Sequence, residues 1–201
     1  MFHVDTLGYV LNARVQRTPR PLIERGVLRQ ISGIIVHQTG GASGASSLSS
    51  YTGNNANGAH FLIDKDGTIY QTASLFRHTW HVGKLRARCI AEYNCSPTEL
   101  KALKRFSPKT EHQMEMAKHM PQRYPSNEDS VGIEIVGAVA AGKGQNLAEQ
   151  GVYETVNELQ NASLHWLIAE LISTFGISMT EVFRHPVVSR KNPTEAASAL
   201  W

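Results

Sequence analysis

The sequence predicts an α/β fold with a single mixed central β-sheet flanked by helices. Three observations carry this. Two short apolar, β-branched runs, Ile34-Ile35-Val36 and Val131-Gly-Ile-Glu134-Ile-Val136, read as strands buried on both faces. Two β-rich runs on either side of Asp66-Gly67 read as a hairpin. Leu159, Leu164, Leu167, Leu171 and Phe175 recur at helical spacing, and Gly176 stands where a helix-ending glycine belongs. Strands mixed with one long helix and some shorter ones fit one sheet covered by helices.

Taken in order, residues 1–30 carry Pro19, Pro21 and several arginines and are expected to form an extended arm packed on a domain spanning 31–201. The first strand covers about 32–37 and ends at His37, before a Gly/Ser-rich stretch in which 45–51 could coil into a short helix. Residues 52–58 have turn composition. The hairpin pairs 59–64 with 68–71, and 75–83 begins a further extended piece. Residues 84–128 are polar and punctuated by prolines. They read as an insertion laid over the core, helical at about 96–104 and 109–120, with Ser96 and Pro97 as cap and first turn. His112 and His119 are expected at its surface, and His165 as an ordinary residue of the long helix. A second buried strand follows at 131–137, then a Gly/Ala-rich loop to 151, the helix at about 156–175, and the tail Phe183-Arg-His185-Pro-Val-Val-Ser-Arg-Lys191.

At 201 residues, 41% hydrophobic and 18% charged, the chain has enough material for one sizeable core. A net charge of +3 without a basic, aromatic-interleaved stripe argues against a nucleic-acid partner. No apolar run is long enough to span a membrane. The first residues lack the basic and apolar regions of a signal peptide. The expectation is a chain made in the cytoplasm, staying there or leaving by a leaderless route. Cys89 and Cys95 are too few for a structural zinc site; they pair locally in an oxidising compartment or stay free in a reducing one.

Each polar residue taken alone has an ordinary explanation, such as a strand histidine bonded to backbone. Together they are harder to explain that way. Three apolar strands each bring an ionisable group to the sheet, His37, His60 and Glu134, and His185 and Lys191 follow the long helix. Buried charges and imidazoles are costly unless paired or metal-bound. A zinc centre is one economical way to satisfy them, usually with three protein ligands and one open position.

Five segments occur in a recognisable order: Ile-Ile-Val-His37-Gln-Thr, Ala-His60-Phe-Leu-Ile-Asp-Lys-Asp-Gly-Thr-Ile-Tyr-Gln, Thr-Trp80-His81-Val-Gly, Val-Gly-Ile-Glu134-Ile-Val-Gly and Arg-His185-Pro-Val-Val-Ser-Arg-Lys191. From about 31 to 198 the series resembles the zinc N-acetylmuramoyl-L-alanine amidases. That superfamily is shared by phage endolysins, muropeptide-recycling amidases and peptidoglycan recognition proteins. The resemblance implies their fold, Zn2+ as cofactor, and His37 and His185 as metal ligands. It implies Glu134 as the base for the attacking water, because Ala59 stands where the phage-type branch has a tyrosine. Lys191 matches the lysine that steadies the oxyanion. Trp80 and His81 match a substrate-groove motif, where His81 would hydrogen-bond ligand or water. His60 is placed on the same substrate side, as a buttress.

The third ligand departs from the pattern. The family has Cys or Asp two residues beyond the lysine, and here that residue is Pro193. Glu195 lies ten residues after His185, the separation of the recycling enzymes' Asp, and a carboxylate binds zinc better than the Asn192 amide. The expected ligand is therefore Glu195, with Asn192, or no third ligand, as alternatives. The expected function is hydrolysis of the amide between N-acetylmuramic acid and L-alanine in peptidoglycan by a monomer, as a leaderless antibacterial (type VI-type) effector or lysin acting in the periplasm. An effector of that kind would have an immunity protein as partner. The alternatives are a cytoplasmic recycling amidase, or a muropeptide-binding module that does not cut, which Pro193 would favour.

Overall fold

Alternation along the two central strands decides which face of the sheet carries chemistry. The computed structural model describes all 201 residues. Its strands are β1 (Val15–Arg17), β2 (Glu24–Val27), β3 (Gly33–Gly40), β4 (Phe61–Ile63), β5 (Ile69–Gln71), β6 (Arg77–Thr79), β7 (Ser130–Ala140), β8 (Val152–Tyr153) and β9 (Val182–Arg184). Its helices are α1 (Gly44–Ser50), α2 (Arg88–Ala91), α3 (Pro97–Leu103), α4 (Pro108–Met116), α5 (Leu147–Gln150), α6 (Glu158–Phe175) and α7 (His185–Val188). The main sheet runs β1-β5-β4-β7-β3-β9, with β8 added on β7; β2 and β6 form a separate antiparallel pair. β3 is parallel to both β7 and β9, and β4 is parallel to β7, while β4 and β5 are antiparallel. The sheet is mixed, as expected.

Ile34, Val36, Phe61, Ile63, Val131, Ile133 and Ile135 share a core with Leu164, Leu167, Ile168 and Leu171 of α6. Because successive strand residues point to opposite faces, His37, His60 and Glu134 lie on the face away from α6. That face has a smaller core of Ile35, Val82, Leu85, Tyr124 and Val188. The register sets His37 beside Glu134 across β3 and β7.

α6 starts at a capping box of Asn157 and Gln160 and stops at Gly176, whose φ of +67° suits glycine. The helical stripe differs in one place: Leu159 is exposed, and Gln160 is buried with its Nε2 donating to the Val136 carbonyl. In the hairpin, Gly67 takes φ +83° at the turn. The N-terminal arm does more than lie on the domain. Phe2, Val10 and Val15 enter the main core, β1 extends the sheet alongside β5, and β2 pairs with β6. β3 continues three residues beyond His37, and β7 continues to Ala140, so both strands outrun the sequence expectation. The Gly/Ala-rich stretch after β7 contains α5 and leads into β8, which folds back on β7.

The polar segment 84–128 contains α2, α3 and α4, with Ser96 and Glu99 forming a capping box at Pro97. Cys89 and Cys95 are joined in a disulfide. His119 is exposed, but His112 is not simply a surface residue: its Nδ1 accepts from the Leu85 amide. The segment grips the stretch that begins at His185. Leu85 bridges Ser189, the Arg86 amide donates to the Val188 carbonyl, and Ser189 Oγ donates to the Lys84 carbonyl. Arg190 pairs with Glu111, and Arg88 holds Glu181, just before β9, through two bonds of 2.8 and 3.0 Å.

Arg88 and Glu181 are both buried. Replacing Arg88 with Met leaves Glu181 an unpaired buried carboxylate, so a loss of about 3–5 kcal/mol in unfolding free energy is expected in urea titrations.

Candidate metal and catalytic site

Parallel pairing brings the ends of three strands to one place. β9 aligns Arg184 with Val36, so His185, the next residue, stands against His37; their ring centroids are 4.2 Å apart. α7 opens at His185 itself, with Pro186 in its first turn, which fixes His185 at the strand-to-helix corner. After Lys191 the chain makes a tight turn in which the Glu195 amide donates to the Asn192 carbonyl and Ala196 adopts φ +53°. The turn points Glu195 back at the two histidines. His185 Nδ1 lies 2.9 Å and His37 Nδ1 3.5 Å from Glu195 Oε1. The three candidate ligand atoms lie within 4.8 Å of one another, and all three residues are buried.

This donor set fits zinc, which takes imidazole nitrogen and carboxylate oxygen in catalytic sites. His185 Nε2 is buried with no hydrogen-bond partner, which leaves its desolvation without an offset from the protein. Asn192, the alternative ligand, is engaged elsewhere: its Nδ2 donates to the Gly151 carbonyl, and its Oδ1 accepts from the Thr194 amide and hydroxyl. It holds the turn that presents Glu195. Pro193 is exposed.

The site floors a cavity of about 330 Å³ whose wall includes Glu134, Trp80, Tyr153, Lys191 and Gly83. Glu134 is half-buried, and its Oε2 is sealed from solvent without a hydrogen-bond partner. Burial pushes its carboxyl up to about 8; Glu195 adds to the rise and Lys191 opposes it. Burial also works against the Glu195 charge, but the hydrogen bond from His185, with His37 alongside, holds that carboxyl down at about 2. Burial, with His185 alongside, lowers His37 to about 4. Lys191 is exposed, and Trp80 stands at the rim, 49% exposed, with the Arg25 guanidinium 4.5 Å above its ring. A larger groove of about 450 Å³ lies between Leu28–Ser32 and Phe175–Ser178, away from this cluster.

The structure thus gathers His37, His185, Glu195, Glu134, Lys191 and Trp80 around one cavity. The rings of His60 and His81 are both held by the protein through both nitrogens. His60 is fully buried outside the cavity; its Nε2 donates to the Arg77 carbonyl and its Nδ1 accepts from the Gly132 amide. It braces β7 next to Glu134. His81 reaches the cavity wall, but both its ring nitrogens are occupied, by His37 Nε2 at 3.0 Å and Ser130 Oγ at 3.3 Å. Neither ring has a free nitrogen to offer a substrate. Tyr153 was missed by sequence reasoning: it comes from the two-residue β8, too short to show a period, and burial beside Glu195 and Glu134 raises its hydroxyl to about 12.

The family model for N-acetylmuramoyl-L-alanine amidases matches residues 28–195, and the chain belongs to that family. No curated relative matches the sequence. Among solved structures, an AmpD derivative superposes with a TM-score of 0.57 at 16% identity, covering 96% of this chain and 93% of that one. AmpDh3 from Pseudomonas aeruginosa, solved with an anhydromuramic pentapeptide, gives 0.53 at 17% identity, over 94% of this chain and 58% of that one. At such identities these likenesses establish the fold, a mixed sheet flanked by helices.

The buried titrating groups set the pH dependence of stability in the zinc-free protein. Folded, His37 and His60 take up protons only near 4, against 6.5 ordinarily, and burial holds His81 well below 6.5 too. The unfolded chain therefore binds more protons in that window, and stability rises with pH up to about 6.5. Glu134 acts oppositely: folded it keeps its proton to about 8, unfolded only to 4.5, so it subtracts stability as pH climbs between the two. Three histidines outweigh one glutamate below about 6.5, and the glutamate alone acts above it. Melting temperature in a chelator is expected to peak near pH ~6.5, and Glu134→Gln to remove the decline on the alkaline side.

Proposed function

We propose that this protein is a zinc-dependent hydrolase of the amide bond between N-acetylmuramic acid and L-alanine in peptidoglycan. The observation that carries this is the convergence of His37, His185 and Glu195 within 4.8 Å, beside Glu134, on the wall of an open cavity. Family membership supplies the substrate class. Bound by those three side chains, zinc supplies Lewis acidity, which makes a water more acidic and polarises a carbonyl.

The remaining work falls to this chain's own groups. Glu134 accepts the proton of the attacking water and returns it to the departing L-alanine amine. A carboxylate raised to about 8 is a stronger base, once ionised, than an exposed glutamate, and Lys191 favours the ionised form. The Lys191 ammonium faces the same cavity and steadies the negative charge that grows on the scissile carbonyl oxygen. Trp80 offers an exposed aromatic face at the rim for the sugar or stem peptide. The Cys89–Cys95 bridge supports action in an oxidising compartment such as the periplasm, as an effector or lysin, rather than recycling in the cytosol.

Purified protein incubated with peptidoglycan is expected to release free stem peptides, measured by reverse-phase chromatography and mass spectrometry. Glu134→Gln is expected to lower that rate about 10²–10⁴-fold while one zinc per chain is still found by elemental analysis. Release of peptides by Glu134→Gln at the wild-type rate would remove Glu134 from the chemistry. Glu195→Ala is expected to lose the zinc, and Lys191→Met to keep it while turning over about 10²–10³-fold more slowly. Wild-type protein that binds soluble muropeptide, holds no zinc and cuts nothing would establish a binding module instead.

A further inference from the structure

His81 is buried directly behind His37. Its Nδ1 lies 3.0 Å from His37 Nε2, and its Nε2 lies 3.3 Å from Ser130 Oγ. Ser130 Oγ in turn lies 2.5 Å from the Ser126 carbonyl oxygen. A carbonyl oxygen only accepts, so the single hydroxyl proton of Ser130 is committed to Ser126. Toward His81, Ser130 can then only accept, which requires the proton of His81 on Nε2. A neutral imidazole carries one N–H, so His81 Nδ1 is a lone pair. The contact with His37 therefore requires His37 to carry its proton on Nε2 and leaves His37 Nδ1 bare, the atom that faces Glu195 Oε1.

We propose that His81 and Ser130 are positioning residues: a one-way chain of hydrogen bonds from the Ser126 carbonyl fixes the tautomer of His37, so that Nδ1 presents a lone pair to the metal before any metal arrives. This rests on the zinc-site reading given above, and reaches one step further into the protein. The chain is neutral throughout, because no carboxylate approaches His81, whose ring is surrounded by His37, His60, Ser130 and the β7 backbone. Two backbone features hold the ring in place. The His81 and Val82 amides both donate to Asn127 Oδ1, at 2.9 and 2.7 Å, tying the Trp80-His81 corner to the loop that carries Ser126. Gly132 lies opposite the ring; a Cβ there would come within 2.8 Å of His81. The glycine two residues before Glu134 thus leaves the space that the imidazole occupies.

Two measurements test this, neither of which uses turnover. Long-range ¹⁵N–¹H correlation spectra of the zinc-free wild-type protein should show His37 and His81 both protonated at Nε2 and bare at Nδ1. His37 protonated at Nδ1 would overturn the proposal whatever the variants do. Zinc affinity by chelator competition then separates tautomer control from packing. His81→Phe fills the space but accepts no hydrogen bond, and is expected to weaken zinc binding about 10–100-fold. His81→Asn can place its Oδ1 where Nδ1 was, and is expected to restore affinity to within about threefold of wild type. Equal affinity of the phenylalanine variant and wild type, or equal loss in both variants, would overturn the proposal. A wild-type protein that binds zinc with this tautomer yet cuts no peptidoglycan would overturn the proposed function and leave the tautomer relay standing.

Discussion

Glu195 is a carboxylate sunk between two buried imidazoles, and the rest of the site follows from satisfying it. Its charge is kept despite burial because His185 Nδ1 donates to Oε1, with His37 Nδ1 beside it. Those nitrogens stand there because β3 and β9 pair in parallel as neighbours and because Pro186 lies in the first turn of the helix that opens at His185. Glu134, one strand away at the level of His37, is driven toward its protonated form by burial, and the Glu195 charge adds to the effect. Two glutamates lining one cavity are thereby pushed in opposite directions: one ionised, the other holding or yielding a proton. That divergence suits the proposed acid–base chemistry.

The sequence displayed the parts of this arrangement that periodicity and turn chemistry encode. The apolar, β-branched runs at 34–36 and 131–136, the Asp66-Gly67 turn and the stripe of α6 are local patterns, and each appears in the fold. Glu195 was recoverable through its distance from His185, although Pro193 disguised it. Hidden from the sequence were contacts between remote segments. β1, β8 and β9 are two or three residues long, too short to show a period, yet they add the sheet edge, Tyr153 and the support for His185. The orientation of His81 could not be read either. A histidine after an exposed tryptophan looks like a groove residue, and only Ser130 and Gly132, some fifty positions away, turn it inward. Leu159 shows the converse: helical spacing suggested burial, but a satisfied Gln160 took the inner position.

The polar block from Lys84 to Glu128 reads in sequence as an ornament, with its prolines, charges and cysteine pair. In three dimensions its inner surface is a row of backbone and ion-pair contacts to Glu181, Pro186, Val188, Ser189 and Arg190, the residues flanking His185 and leading to Lys191. The disulfide closes the loop that begins next to Arg88, at the centre of that row. A chain relieved of this block could still assemble its sheet, since none of the main strands lies within it. The ribbon bearing His185 and Lys191 would then keep only β9, the packing of Val188 on Ile35 and Val82, and the Asn192 turn. The block therefore serves as the outer jaw of a vice, and the domain could not be miniaturised there without loosening the grip on its own chemistry.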